Sequence, residues 1–255
     1  MTMMYAKRLG RAAKWLLTGS AAQRRRVRQE LARASAAIFG DFPISEDHKL
    51  WRDDKAFLDD FSRMSPGNPY SQDRKWTLRE YVKVSNTLQG DLAECGCHVG
   101  TSAFFIAQAS SHGKLYLFDS FQGLSAPDET DLDVAESVMP WSKGGGDMTA
   151  SEATLRHNLS RYDSIAILPG WIPERFAEIA DHQFRLVHVD VDLYQPTRDS
   201  LIFFYPRLVK GGIIVMDDYG FKTCPGATRA ADELAASEGF QILHLATGQG
   251  VIMKR

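Results

Sequence analysis

Two apolar runs in this sequence end in acid. VHVDVDLYQPT (187–197) carries Asp190 and Asp192, and GGIIVMDDYG (211–220) closes on Asp217 and Asp218. Carboxylates buried without partners are costly, so they neutralise, pair with a cation or bind a metal. In an extended strand Val187, Val189, Val191 and Leu193 point one way and His188, Asp190 and Asp192 the other. That pattern predicts the two aspartates on one face, roughly 6.5 to 7 Å apart. An all-oxygen, carboxylate-rich set suits Mg²⁺ or Mn²⁺ rather than a metal that prefers Cys and His.

A second constellation is ECGCHVGTS (94–102), of form E-x-G-x-x-x-G. Glycine lets the backbone approach a ligand, and a following helix N-terminus offers free N–H groups. The spacing departs from the G-x-G-x-x-G of a pyrophosphate site. Asp119, at the end of the next apolar run, is placed to accept hydrogen bonds from ribose hydroxyls. With no Lys or Arg in the loop to hold phosphate, the pair points to S-adenosylmethionine rather than a nucleotide.

Elements that would position these groups alternate along the chain. Strands are expected at Asp91–Cys95, Lys114–Phe118 and in SIAILPG, FRLVHVD and GGIIVMDD, with a final pair in FQILHLA and GVIMKR. Helices are expected at about 77–89, capped by Gly90, and at about 101–110, 173–179, 198–208 and 228–237. Strands alternating with helices predict an α/β fold, a mostly parallel sheet covered on both faces, whose ligands bind beyond the carboxyl ends of the strands. Between Gln122 and Ser151 the rhythm breaks: Pro127, six acids, Trp141 and KGGGD make a long insertion that reads as a lid.

Composition is that of a globular protein, 44% hydrophobic and 24% charged in 255 residues. No apolar run reaches the roughly 18 residues of a membrane span, and the N-terminus lacks a signal-peptide core. Three cysteines without zinc spacing (Cys95, Cys97, Cys224) read as packing residues in a reducing cytoplasm. The net charge of −2 is uneven, since residues 1–40 hold nine Lys or Arg against Glu30. The expected organisation is a basic helical extension over 1–45 and a catalytic domain over 46–255. A basic amphipathic helix lies on an anionic membrane face or docks on protein, its own domain or a second copy, and the sequence leaves these open. The acidic body opposes nucleic acid binding.

Six segments in this order, AECGCHVGTSAFF, FDSFQGL, LPGWIPERF, HVDVDLYQPT, LVKGGIIVMDDYG and CPGATRAADEL, resemble the macrocin O-methyltransferase family of sugar O-methyltransferases. The resemblance covers about 76–255. It implies a Rossmann-like class I methyltransferase with a seven-stranded, mostly parallel sheet and an antiparallel final strand. It also implies S-adenosylmethionine as donor, Mg²⁺ and a sugar hydroxyl as acceptor. Carried over by motif, Glu94, Gly96, Gly100, Ser102 and Asp119 line the cofactor, with Gly170 and Trp171 toward its adenine. Asp190, Asp217 and Asp218 match the metal ligands and Asp192 the general base. Val191 stands where the family pattern commonly has glycine.

Rival readings exist. A metal-dependent glycosyltransferase also uses D-x-D, but leaves the glycine loop and Asp119 unexplained. A D-x-D-x-T phosphatase fails because Tyr194 occupies the threonine position. A non-catalytic cofactor-binding scaffold keeps the fold without turnover. Each residue also has a rival role of its own: Asp217 and Asp218 as the start of a turn, His98 and His188 as structural histidines. Tyr194 and Tyr219 shape an acceptor pocket or simply pack.

Overall fold

The expected strands pair into one seven-stranded sheet of order β3-β2-β1-β4-β5-β7-β6. In this computed structural model the described residues are 14–20, 23–24, 27–28, 31, 50–66, 71–132 and 148–255. Strands β1 (Asp91–Cys95), β2 (Leu115–Asp119), β3 (Ile165–Pro169), β4 (Phe184–Val189) and β5 (Leu208–Met216) run parallel. β7 (Gly250–Met253) adds antiparallel to β5, and the two-residue β6 (Leu243–His244) pairs with β7. Helices α1 (Lys55–Met64), α2 (Gln72–Ser85), α3 (Thr101–Ala109), α4 (Glu152–Asn158), α5 (Tyr194–Arg207) and α6 (Pro225–Glu238) accompany them.

Strand alternation divides the core in two. Leu92, Leu186 and Val215 join Leu78, Phe104 and Phe105 in one apolar cluster, while Ala93, Val187, Val189 and Ile214 join Leu201, Phe204 and Ala231 in the other. The sheet is thus covered by α1 to α4 on one face and by α5 and α6 on the other.

Several boundaries depart from the sequence reading. α2 ends at Ser85 with Asn86 as its cap, so Gly90 is not a helix cap. Gly90 instead has φ 128°, and a Cβ there would lie 3.0 Å from Arg185 N, so the glycine permits a close chain approach. α2 also begins before Thr77 and so takes in Arg74 and Lys75. The expected helix at 173–179 is only a 3₁₀ turn, Phe176–Ile179. α1 and α4 were not expected. α1 is started by Asp54, whose Oδ1 accepts from Phe57 N at 3.0 Å. At α6, Pro225 opens the helix and Gly239, with φ 70°, closes it.

The most consequential difference is at β4, which stops at Val189. The extended run expected through Leu193 gives way to a tight turn, with Asp192 at φ 59° and Leu193 N donating to Val191 O at 2.6 Å. α5 then begins at Tyr194. Val191 and Leu193 are buried as expected, but Asp190 and Asp192 do not share a strand face.

The chain divides into two compact units, Met1–Leu50 and Trp51–Arg255. In the first, residues 14–18 are helical, and Ser20 and Gln23 exchange hydrogen bonds, Gln23 N to Ser20 Oγ at 3.2 Å and Ser20 N to Gln23 Oε1 at 2.9 Å. This reciprocal pair is a capping box. Most of the expected basic helical extension lies outside the described residues, as do Trp141 and KGGGD. Among the described residues no helix is long and apolar enough to cross a membrane.

Candidate active site

Neighbouring strands β1 and β4 send their chains to opposite sides of the sheet, and open parallel sheets form a crevice at such a reversal. A cavity of about 350 Å³ lies there. Gly96 and His98 from the loop after β1, Asp119 from β2, Gly170 and Trp171 after β3, and Asp190 to Leu193 after β4 all line it. Gly123, Leu124, Ser125 and Met148, from both flanks of the insertion, also line it.

At Gly96 a Cβ would sit 1.8 Å from Asp190 O, so only glycine lets the β1 and β4 loops approach this closely. Asp119 organises the same loop from below. Its Oδ2 accepts from Cys97 N at 2.8 Å and His98 N at 2.7 Å, and its Oδ1 from Phe121 N at 2.7 Å. A carboxylate has about four acceptor sites, so these three bonds leave capacity for one further donor. Gly170 N donates to Asp119 O at 3.0 Å, fastening the loop after β3 to the end of β2.

The structure does not bring every expected cofactor residue to this cavity. Gly100 caps α3 with φ 88°, and Ser102 is buried within that helix. Glu94 is fully buried and accepts from His188 Nδ1 at 2.8 Å, and its Oε2 has no partner among the described residues.

The acid cluster follows from the pleat. Glu94 and His188 are register partners on β1 and β4, and Val215 is the partner of His188 on β5. Asp217 N still donates to Val189 O at 2.9 Å, so strand pairing continues past Met216 and Asp217 shares the face of Val215. Asp217 therefore faces α2. Its Oδ1 accepts from Gln249 Nε2 at 2.8 Å and His188 Nε2 at 3.4 Å, and its Oδ2 from Arg74 Nη1. Lys75 Nζ stands 3.5 Å from the same oxygen and 3.3 Å from Asp190 Oδ2.

Asp218, the next residue, turns to the opposite side, where its Oδ2 accepts from Asp192 N at 3.0 Å and Cys224 Sγ donates to Asp192 Oδ1 at 3.5 Å. Among the described residues two groups of ligand-type atoms result, each within a 4.8 Å span: His188 with Asp190 and Asp217, and Asp192 with Asp218 and Cys224. The expected metal trio is thus divided between them. In kind the oxygen donors fit a hard divalent cation, although protein donors already occupy both oxygens of Asp217.

Environment drives these carboxylates apart. Burial would raise Asp217, but Lys75, the His188 hydrogen bond and Arg74 outweigh it and hold this carboxyl well below the usual range. Burial pushes Asp218 well up, reinforced by Asp192 and Asp190. Asp192 is raised to about 7 by burial and then by Asp190. His188, which burial alone would lower, is lifted to about 9 by its bonds to Asp217 and Glu94. The three cysteines are buried free thiols, with Cys95 raised to about 12 by burial.

The sequence profile of the macrocin-O-methyltransferase (TylF) family matches residues 72–241. The chain belongs to this family. Among relatives, the 8-demethyl-8-(2,3-dimethoxy-alpha-L-rhamnosyl)-tetracenomycin-C 4'-O-methyltransferase of Streptomyces olivaceus is 29% identical over 153 residues, 56% of this chain and 58% of that one. The demethyldecarbamoylnovobiocin O-methyltransferase of Streptomyces niveus is 28% identical over 170 residues, 62% of this chain and 64% of that one. The matches thus span about three fifths of each of these relatives. The solved O-methyltransferase NovP superposes with a TM-score of 0.60 at 25% identity, over 76% of this chain and 88% of its own. The macrocin-O-methyltransferase assignment accords with the seven-stranded sheet, its antiparallel last strands and its helices on both faces.

Arg74, Lys75, Gln249 and Cys224 join the site although no motif in the sequence marks them for it, and His188 bonds two of its acids. A signal exists only for His188, which shares a face of the sheet with Glu94 and Asp217 once strand register is known. Val191 needs no glycine backbone, since positive φ falls at Asp192 instead. Tyr194 and Tyr219 do not line the cavity, and their hydroxyls donate to Glu233 and Asp232 on α6.

Proposed function

We propose that the protein is an S-adenosylmethionine- and Mg²⁺-dependent O-methyltransferase acting on a sugar hydroxyl of a glycosylated natural product or glycan. The observation that carries this reading is the cavity itself, which Gly96 and Asp119 share with Asp190 and Asp192. The relatives' named sugar-bearing acceptors support the substrate class.

When bound, S-adenosylmethionine supplies an electrophilic methyl group and the divalent cation supplies positive charge to an acceptor oxygen. Gly96, His98 and Asp119 bind the cofactor, with Asp119 receiving a ribose hydroxyl, while Gly170 and Trp171 flank its base. Glu94, Gly100 and Ser102 act behind that surface, fixing the loop and the start of α3. Of the expected trio, Asp190 and Asp217, whose ligand atoms stand together, would hold the cation. Asp192 takes the proton from the acceptor hydroxyl; its raised affinity for protons suits a base working near neutral pH. With S-adenosylmethionine bound, these walls would hold the acceptor oxygen against its methyl group, which would pass to oxygen with the C–S electron pair left on sulfur. The flanks of the insertion, Gly123 to Ser125 and Met148, exclude water from this path.

Asp192→Asn tests the assignment. Turnover, measured as label transferred from S-adenosylmethionine to a screened sugar acceptor, should fall about 10²- to 10⁴-fold. Affinity for S-adenosylhomocysteine should be unchanged. Wild-type turnover with chemistry rate-limiting would remove Asp192 from the reaction.

A further inference from the structure

Two side chains of α2 stand among the acids that the proposed function gives to a divalent cation. Lys75 is held between Asp190 and Asp217 with only 8% of its side chain exposed. Arg74 is different. Its side chain is 24% exposed, one guanidinium nitrogen is bonded to Asp217 Oδ2, and the group lies 5.0 Å over the ring of Phe221. Asp217 Oδ1 is already engaged by Gln249 and His188, so Oδ2 is the oxygen that a cation must use. That oxygen is hydrogen-bonded by Arg74, with Lys75 Nζ 3.5 Å away.

We propose that Arg74 is the resident counter-ion of Asp217 and must withdraw from it before a divalent cation can bind, so that Arg74 sets the metal affinity of this site. The inference rests on the metal reading of the acid cluster. Phe221 gives the departing guanidinium a place to remain, since Arg stacks on aromatic faces without needing a carboxylate. Lys75 is too enclosed to make the same exchange and stays as a fixed positive charge. A site whose competent state is only partly populated binds its ligand more weakly by that fraction, so removing the competitor tightens binding.

The test is calorimetric titration of MnCl₂ into the full chain, wild type against Arg74→Ala, with Arg74→Gln as a second variant that keeps side-chain bulk. Thermal melts check that each is folded. The expected result is a dissociation constant about tenfold lower in the variants, with a larger metal-induced rise in Tm than in wild type. A crystal structure with Mn²⁺ should show the guanidinium off Asp217 and over Phe221. Binding that is unchanged or weaker in both variants, or a Mn²⁺ complex with Arg74 still on Asp217, overturns the inference while the metal reading stands. If neither wild type nor variants bind Mn²⁺, the metal reading falls and the inference with it.

Discussion

Asp119 and Asp217 both end a strand of the same sheet at the same edge, yet they are held in opposite ways. Asp119 is satisfied by three backbone amides from residues 97, 98 and 121, all in the two turns beside it. Asp217 is satisfied by side chains from His188, Gln249 and Arg74, the last 143 residues away, with Lys75 close by. The first carboxylate shapes a loop that lines the cavity. The second is the centre of a buried charge network, in which removing one partner leaves the others uncompensated. Two acids with similar sequence signatures therefore carry different loads.

The largest effect expected from this contrast is on folding. Asp217→Asn leaves Arg74, Lys75 and His188 without their shared anion and should lower stability by about 3 to 5 kcal/mol in chemical denaturation. Asp119→Asn keeps an acceptor oxygen but turns an N–H group toward the loop amides, and should lose a smaller amount, about 1 to 3 kcal/mol. An equal or larger loss for Asp119→Asn would break the comparison. It would mean that amides, not charges, bear most of the strain at this edge.

The same contrast explains what the sequence disclosed. Strand ends, the glycine loop and Asp119 were legible because their partners lie within a few residues of a turn, where glycine and strand patterns speak directly. β1 was placed at Asp91–Cys95 and the parallel order followed from the alternation of elements. Asp192 was legible as an acid but not as a turn residue, because the Val-Asp-Val-Asp alternation suggests a strand that tertiary contacts end at Val189. Its left-handed backbone sends it to Asp218 and Cys224 and away from Asp190's partners. Arg74, Lys75 and Gln249 were silent, since nothing local links α2 or the β6–β7 turn to the end of β5. Only strand register and helix packing bring them together.

Gly96 shows a constraint that the sequence marked for a ligand and the structure explains by chain approach. A side chain there would meet Asp190 O, so the glycine joins the loop after β1 to the acid-bearing turn. The two halves of the site are thereby one mechanical unit.

The central claim is that this shared cavity receives S-adenosylmethionine against Gly96 and Asp119. Calorimetric titration with S-adenosylhomocysteine tests it most directly. The account predicts saturable one-to-one binding, weakened about tenfold by Asp119→Asn through the lost charge-assisted bond to the ribose and unaffected by Asp192→Asn. No heat with S-adenosylhomocysteine, beside saturable binding of a nucleotide sugar to the same protein, would contradict it and favour glycosyl transfer.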